Sequence, residues 1–249
     1  MTLRLVTFGI SHFCEKARWA LDWHRLAYSE ISWPPGVHIV LARRCGAKRS
    51  SLPILVDDTR VIEGSGAIID WADHHASDVT RRLTLRNSEE IELRADKEIG
   101  IQVRRLAYAE MLPKYPHLAK PGLFRNVSMT HRVLGEVMWP VTRRLMIRGY
   151  ELHSNAAAEA RAKLQVELDW LDNMLADRRP YLAGDAFSRA DVTVASLLAP
   201  FARPAKMQTF HSMSLPSSLI ADVERWRERP IMRWVISQYD AHRFPSLNG

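Results

Sequence analysis

The sequence predicts an α/β domain followed by an all-α domain. Over residues 1–77, short apolar strand patterns alternate with amphipathic helix patterns. From residue 88 onward, apolar residues recur with helical spacing, whereas residues 78–87 are polar and basic with little periodicity. We therefore expect an N-terminal domain over 1–77 with a mixed four-stranded sheet, a linker over 78–87, and a C-terminal helical bundle over 88–249.

The first domain is predicted to contain four strands and three helices. In chain order these are strand 3–8, helix 14–26, strand 28–32, helix 38–44, strand 52–56, strand 60–63 and a helix that begins at Ser65. The β-α-β start requires a parallel pair of strands. Asp57-Asp58 favours a tight turn, so the last two strands form an antiparallel hairpin and the sheet is mixed.

The second domain is predicted to be helical throughout. A long helix starts at Ser88 and is interrupted by Pro113 and Pro116. The later predicted helices are 123–150, kinked at Pro140, then 156–177, 189–201, 217–227 and 231–241.

Composition and charge narrow the class of protein. The chain has 249 residues, a formal charge of +7 and a pI of about 9.7, but its basic residues are scattered in pairs. Scattered pairs are typical of solvated helix faces, and nucleic-acid binding is the weaker alternative. Without an apolar run of about 18 residues, a signal-peptide layout or a disulfide framework from Cys14 and Cys45, we expect a cytoplasmic protein with no membrane or nucleic-acid partner.

Residues 9–19 carry the strongest chemical signal. Ser11 stands where the first strand ends and the first helix begins. Backbone N–H groups converge at such a helix start, and the positive end of the helix dipole stabilises an anion there. A hydroxyl at this place is suited to holding a thiolate.

Two further turns favour binding of an extended peptide. Pro53 opens a strand, and a cis Leu52-Pro53 bond would turn the backbone of Leu52 outward. The alternative is an ordinary proline at a strand start. Ser65 is a candidate N-cap of its helix, and its hydroxyl at a helix start also suits a carboxylate.

Taken together, these segments resemble a known family. Residues 11–14, 51–53 and 64–68 resemble the thioredoxin-like domain of serine-type cytosolic glutathione transferases. Residues 181–185 and 187–195 resemble a segment of that family's helical domain, where Ser188 and Asp191 have capping-box spacing. The resemblance covers essentially the whole chain and depends on the order and spacing of the motifs.

The resemblance implies a two-domain homodimer that takes glutathione as co-substrate, with no metal, and attacks a small apolar electrophile. It implies that the Ser11 hydroxyl donates to the glutathione sulfur and lowers the thiol pKa. Leu52 would hold the cysteinyl backbone, and Ser65 the γ-glutamyl carboxylate. The other implied glutathione-binding residues are Phe13, His38, Arg49, Pro53 and Glu63, with His38 or Arg49 meeting the glycyl carboxylate.

Three positions depart from the family's pattern. His12 replaces a common proline, and we expect it to be an exposed bystander rather than a tuning residue. Cys14 takes the second cysteine place of a redox turn whose first place is Ser11, so we expect it to pack under the helix. Gly64 stands where the family usually has Glu, and Glu63 is shifted by one residue, so the usual contact to the glutathione amine is lost or made differently.

Aromatic and Met residues in the helical domain are candidates for the electrophile pocket. We predict Tyr108, Met111, Tyr115 and Phe201 there, while Trp139, Met207 and Phe210 are further candidates. The alternative for each is the ordinary helical core. His74 and His75 lack metal-ligand spacing and are predicted to cap a helix end.

The favoured function is detoxification by a glutathione transferase. One alternative is a glutathione-dependent peroxidase or dehalogenase, which would use the same activated thiol. The other is a non-catalytic binding module with this fold, which the Gly64 departure favours.

Overall fold

The structure of the protein, a computed structural model, describes residues 3–58 and 60–244. These form two compact units. The first comprises the residues through Arg82, Lys120–Met146 and Phe244, and the second comprises Leu83–Ala119 and Ile147–Arg243. A segment that belongs to the helical half of the sequence, Lys120–Met146, therefore packs with the sheet-containing unit.

The first unit contains the predicted four-stranded mixed sheet. Its strands are β1 Arg4–Thr7, β2 Ser29–Ser32, β3 Ile54–Asp57 and β4 Arg60–Glu63, in the spatial order β2-β1-β3-β4. Strand β1 pairs with β2 in parallel and with β3 antiparallel, and β3 pairs antiparallel with β4. The fold class predicted from the sequence, a thioredoxin-like sheet domain with an all-helical part, is confirmed.

Helices account for most of the remaining described residues. They are α1 His12–Trp23, α2 Val37–Arg44, α3 Ser65–His75, α4 Ser88–Arg94, α5 Ile101–Met111, α6 Pro116–Leu123, α7 Met129–Gly149, α8 Ala156–Met174, α9 Arg189–Ala202, α10 Gln208–His211, α11 Ser217–Trp226 and α12 Pro230–His242. A π-helical stretch, Ala95–Gly100, joins α4 to α5, and one 3-10 turn, Val79–Arg81, lies in the predicted linker.

Most of the predicted helices are confirmed, with one larger difference. The predicted helix 123–150 starts only at Met129, and the short helix α6 precedes it. Asn126 between them has a φ of +57°, in the left-handed region, so the chain turns there instead of continuing one helix. The predicted cap at the end of α3 is confirmed for His75, whose Nδ1 lies 2.7 Å from the Trp71 carbonyl oxygen.

Successive side chains of β1 contribute to two hydrophobic cores of the first unit, one on each face of the sheet. Leu5 packs with Leu21 of α1 and Ile68 of α3 on one face. Val6, the next residue, packs with Trp33 and Ala42 on the other face. Because successive strand residues point to opposite faces, one short apolar strand serves both cores.

Close contacts attach Lys120–Met146 to the first unit. A Cβ on Gly122 of α6 would lie 2.3 Å from Cγ2 of Ile10, directly before the turn that leads into α1. A Cβ on Gly135 of α7 would lie 2.8 Å from Cβ of Pro34. These two glycines let the helices approach the sheet unit more closely than any larger residue would.

The second unit is built around α9, which is buried along nearly its whole length. The predicted capping box at its start is confirmed. Asp191 Oδ2 accepts bonds from the Ser188 N–H at 2.8 Å and the Ser188 hydroxyl at 2.7 Å, and Asp191 Oδ1 accepts the Leu182 N–H at 2.7 Å. Burial raises the pKa of Asp191 to about 6, although these hydrogen bonds partly offset the effect.

Candidate functional site

Ser11 is the N-cap of α1. Its backbone is extended, with φ −83° and ψ 120°, and its Oγ accepts a hydrogen bond from the Cys14 N–H at 3.2 Å. A hydroxyl has one proton to donate besides its acceptor lone pairs. Ser11 also forms a side-chain hydrogen bond with the Cys14 thiol. The Cys14 N–H takes one acceptor position of the Ser11 oxygen, and the protonated thiol can donate to another, which leaves the proton of the half-exposed Ser11 hydroxyl for a ligand at the positive end of the helix dipole.

Cys14 packs beneath α1, as predicted. Its side chain is fully buried, and Sγ accepts the Phe8 N–H at 3.4 Å. Burial raises the pKa of the Cys14 thiol, and the nearby Arg18 charge only partly opposes this shift. The buried thiol is therefore protonated at neutral pH and is a poor nucleophile.

His12 is not the exposed bystander that the sequence predicted. It is the first residue of α1 and is only 5% exposed, with its ring centroid 4.7 Å from that of Phe13. The prediction was wrong because it placed His12 in the loop, whereas the helix starts immediately after Ser11 and brings this side chain into the interior.

The Leu52-Pro53 peptide bond is cis, as the sequence favoured. Both residues are buried, and the Pro53 carbonyl oxygen accepts the Gly64 N–H at 3.0 Å. This bond links the proline turn to the start of α3. The structure thus brings two of the predicted binding segments together, from positions 11 residues apart along the chain.

Gly64, rather than Ser65, is the N-cap of α3. Gly64 has a φ of +95°, and its carbonyl oxygen accepts the Ile68 N–H at 3.1 Å. Ser65 is the first residue within the helix and is buried. The prediction of Ser65 as the N-cap was wrong because a backbone with this φ strongly favours glycine, which the sequence supplies one residue earlier. The same φ would strain a glutamate at position 64.

Both carboxylate oxygens of Glu63 accept hydrogen bonds from the loop that precedes the proline turn. One carboxylate oxygen accepts the Lys48 N–H at 2.7 Å, and the other accepts the Arg49 N–H at 2.6 Å. The Arg49 side chain itself is exposed. Glu63 at the end of β4 therefore holds the backbone from which Arg49 extends.

His38 is a neutral group in this site. Its Nδ1 accepts the Gly36 N–H at 3.1 Å, and its ring packs edge-on against Phe8 with centroids 4.7 Å apart. Burial lowers the pKa of His38 to about 4, with the Pro34 carbonyl partly opposing. With Nδ1 acting as an acceptor, the ring proton at neutral pH resides on Nε2, so His38 can offer a hydrogen bond but no charge.

Sequence reasoning missed Arg18, which supports the end of β1. Its guanidinium forms a fork with the Glu30 carboxylate, with an Nη2 to Oε1 distance of 2.7 Å, and Nη2 also donates to the Phe8 carbonyl at 3.4 Å. The Thr7 hydroxyl donates to the same Glu30 oxygen at 2.6 Å. The available signal was spacing, because Arg18 follows Ser11 by seven residues, or two helical turns.

The residues predicted to line the electrophile pocket do not all line one cavity. In the second unit, Phe201 lines a cavity of about 650 Å³, but Tyr108, Met111 and Tyr115 are not among its lining residues. The Tyr108 ring packs 5.4 Å from Tyr150, Met111 is buried, and Tyr115 is exposed. The further candidates Trp139, Met207 and Phe210 are buried in the cores of their units.

Comparisons with known families agree with this geometry. The model described as "Glutathione S-transferase, N-terminal domain" matches residues 5–80, and "Glutathione S-transferase, C-terminal domain" matches residues 138–210. Together these matches span more than half of the chain. Comparison with curated protein sequences finds no significant match.

Many solved structures share the fold. A glutathione S-transferase of Ceriporiopsis subvermispora in complex with glutathione has a TM-score of 0.64 at 17% identity, covering 98% of this chain and 99% of that one. A glutathione S-transferase from Sinorhizobium meliloti has a TM-score of 0.59 at 16% identity, covering 98% and 100%. One from Methylobacillus flagellatus with glutathione bound has a TM-score of 0.59 at 15% identity, covering 96% and 95%.

The fold, the serine turn and the cis-proline turn define a protein of the thioredoxin-like class with an added helical part. The chain belongs to the cytosolic glutathione transferase superfamily. Across residues 3–58 and 60–244, no helix combines the length and apolar character needed to cross a membrane.

Proposed function

We propose that the protein binds glutathione along the face formed by the serine turn, the proline turn and the start of α3, and catalyses attack of its thiolate on an apolar electrophile. The observation that carries this proposal is the state of Ser11. Its oxygen accepts the Cys14 N–H, and the protonated Cys14 thiol can donate to the second acceptor position, so the hydroxyl proton can be donated to the incoming sulfur.

The chemistry follows from that arrangement. A hydrogen bond from Ser11 Oγ and the positive end of α1 both favour the thiolate form of glutathione, so the thiol proton passes to solvent at neutral pH. The thiolate sulfur then forms a bond to the electrophilic carbon, and the electron pair of the bond that breaks leaves with the departing group. The neighbouring Cys14 is buried and protonated, so it does not compete with this sulfur.

The remaining contacts to glutathione are assigned by chemistry. The Leu52 backbone would pair with the cysteinyl backbone, and Ser65, beside the first N–H groups of α3, would receive the γ-glutamyl carboxylate. His38 would meet the glycyl carboxylate as a neutral donor, and Arg49 as an exposed cation. Phe13 and Pro53 would bound the site. Glu63 would act as a positioning residue, since its two oxygens hold the loop at Lys48 and Arg49.

Tyr108, Met111, Tyr115 and Phe201 stay proposals for binding the electrophile. We further propose that the protein is a cytoplasmic enzyme of detoxification. Reduction of peroxides or dehalogenation would use the same thiolate, and a panel of substrates separates these reactions from conjugation.

We also propose a homodimer. Helix α7 carries a stripe of exposed apolar side chains at four-residue spacing, and Val137 is 75% exposed. Four-residue spacing keeps side chains on one face of a helix. The members of the stripe are Met129, Val133, Val137, Val141 and Leu145. A second copy of the chain would cover this face.

A non-catalytic binding module is the second candidate, because Gly64 removes the carboxylate that the family uses toward the glutathione amine. An ultraviolet difference titration with glutathione at neutral pH distinguishes the two candidates. A saturable thiolate band that disappears in Ser11→Ala but persists in Cys14→Ser supports the enzyme. Glutathione binding without a thiolate band, or no binding at all, supports the module.

A further inference from the structure

The turn that leads into Ser11 is closed at the Phe8 peptide group. The Ser11 N–H donates to the Phe8 carbonyl oxygen at 3.2 Å. The N–H of Phe8 itself donates to Cys14 Sγ at 3.4 Å. The position of the Ser11 backbone, and with it the direction of the Ser11 hydroxyl, therefore depends on how firmly Phe8 is held.

Arg18 of α1 supplies a second donor to the Phe8 carbonyl oxygen. Its Nη2 lies 3.4 Å from that oxygen. A carbonyl oxygen has two acceptor positions, so the Ser11 N–H and the Arg18 guanidinium can both donate to it. The bond from Arg18 is long, and its effect on the turn depends on the guanidinium being fixed rather than on the strength of this one contact.

Glu30 of β2 fixes the guanidinium in place. Nε of Arg18 lies 3.0 Å from each carboxylate oxygen, and Nη2 lies 2.7 Å from Oε1. The Thr7 hydroxyl donates to the same Oε1 at 2.6 Å, which holds the carboxylate in turn. On the other side of the guanidinium, Nη1 lies 3.5 Å from Oε2 of Glu15. A planar group held between two carboxylates has little freedom to rotate.

The two carboxylates also limit what the charge of Arg18 can do for an anion at the turn. Burial raises the pKa of the Cys14 thiol, and the Arg18 charge opposes this shift only in part. Glu15 and Glu30 both lie within 3.5 Å of the guanidinium, so one positive charge stands beside two negative charges. Such a group gives no net positive charge to a bound thiolate. The contribution of Arg18 is therefore geometric.

We propose that Arg18 is a positioning residue for thiol activation: anchored on Glu30, its guanidinium holds the Phe8 carbonyl and so orients the Ser11 hydroxyl towards the glutathione sulfur. This inference rests on the proposed function, because it assigns a role within that reaction. Arg18 would act through Ser11 and not by its own contact with glutathione.

The test is the pKa of the bound thiol in Arg18→Met, which keeps the aliphatic part of the side chain and removes the fork. The pKa is read from the pH dependence of the thiolate band and of kcat/KM. A misdirected hydroxyl forms a weaker bond to sulfur, so the pKa should rise by about half a unit to one unit. Activity at neutral pH should fall roughly three- to tenfold, which is less than in Ser11→Ala.

A double variant shows whether Arg18 acts through Ser11. In Ser11→Ala no hydroxyl is left to orient, so adding Arg18→Met should leave the thiol pKa where Ser11→Ala alone puts it. If Arg18 acts on the thiolate independently, the two shifts should add. A merely structural role would lower the melting temperature and the fraction of active protein without moving the pKa.

Two further variants separate geometry from charge and from folding. Arg18→Lys keeps the charge but not the planar fork, so it should show most of the shift seen in Arg18→Met. Arg94→Met is the matched control, because it removes a similar fork in the second unit, where Arg94 Nε lies 2.9 Å from Oε2 of Glu167. It should lower the melting temperature and leave the thiol pKa unchanged.

Glu30→Gln replaces Arg18→Met if that variant fails to fold. It weakens the anchor of the guanidinium but retains one acceptor oxygen, so it should raise the thiol pKa in the same direction by a smaller amount. Thermal melting followed by circular dichroism reports the folding of each variant.

Several results would overturn the proposal. These are a wild-type thiol pKa in the folded Arg18→Met and Glu30→Gln variants, full recovery in Arg18→Lys, or additive shifts in the double variant. The wild-type protein distinguishes this failure from failure of the proposed function. If the wild type shows neither a thiolate band nor conjugation, the transfer reaction fails and the role of Arg18 fails with it. If the wild type shows both and the Arg18 variants match it, only the role of Arg18 fails.

Discussion

Replacing Ser11 by alanine removes two interactions that can be measured separately. The first is the capping bond from the Cys14 N–H to Ser11 Oγ at 3.2 Å. Loss of an N-cap lowers the free energy of unfolding by about 1 kcal/mol. The second is the proposed hydrogen bond to the glutathione sulfur. A hydrogen bond to a charged group contributes about 1.5–3 kcal/mol, which corresponds to a rise of roughly one to two units in the pKa of the bound thiol.

The assay is the pH dependence of kcat/KM for conjugation of an aryl halide. In Ser11→Ala the rising limb of the profile should move about one to two pH units higher, and activity at neutral pH should fall roughly 10- to 100-fold. Ser11→Thr retains both the cap and the donor, and should keep most of the activity. Ser11→Asp retains the cap but replaces the donor with a negative charge, so it should fold normally and lose activity.

One result would refute this reasoning. If Ser11→Ala keeps the wild-type pH profile while its unfolding free energy falls, Ser11 is only a helix cap. The thiolate would then have to be stabilised by backbone N–H groups of α1 alone.

Three further predictions concern stability and assembly. Burial holds the pKa of His38 near 4, against 6.5 in the unfolded chain, so the free energy of unfolding should fall by up to about 3 kcal/mol as the pH drops from 6.5 towards 4. Urea unfolding across that range should show that the unfolding free energy of His38→Gln depends less on pH than that of the wild type. The same pH dependence in both proteins would contradict this prediction. Gly122→Ala should lower the unfolding midpoint, because its Cβ would meet Ile10 at 2.3 Å, whereas Gly149→Ala, with no described atom within 4 Å, should not; equal midpoints would argue against the packing of α6. Sedimentation velocity should show a dimer that Val137→Glu on α7 converts to a monomer and that the equally polar change Val166→Glu on α8 leaves intact; a Val137→Glu dimer would exclude this face.

Local sequence determined the features whose physics is local. Ser11 caps α1 because its oxygen reaches an N–H three residues later, and the Ser188–Asp191 capping box at α9 follows from the same spacing. The strands were predictable because alternation in a short apolar segment gives one residue to each face of a sheet. The domain order, the mixed sheet and the serine turn could therefore be deduced from the residues alone.

Tertiary structure decided the features that depend on distant partners. The burial of His12, the use of Glu63 by the Lys48 and Arg49 N–H groups, and the loss of charge on His38 all require elements from different parts of the chain to meet. The packing of Lys120–Met146 in the sheet-containing unit could not be predicted from local sequence. The need for glycine at position 122 becomes visible only from its contact with Ile10, which is distant in the sequence. Spacing along the sequence reports contacts within a few residues, whereas burial and charge pairing depend on neighbours that only the folded chain brings together.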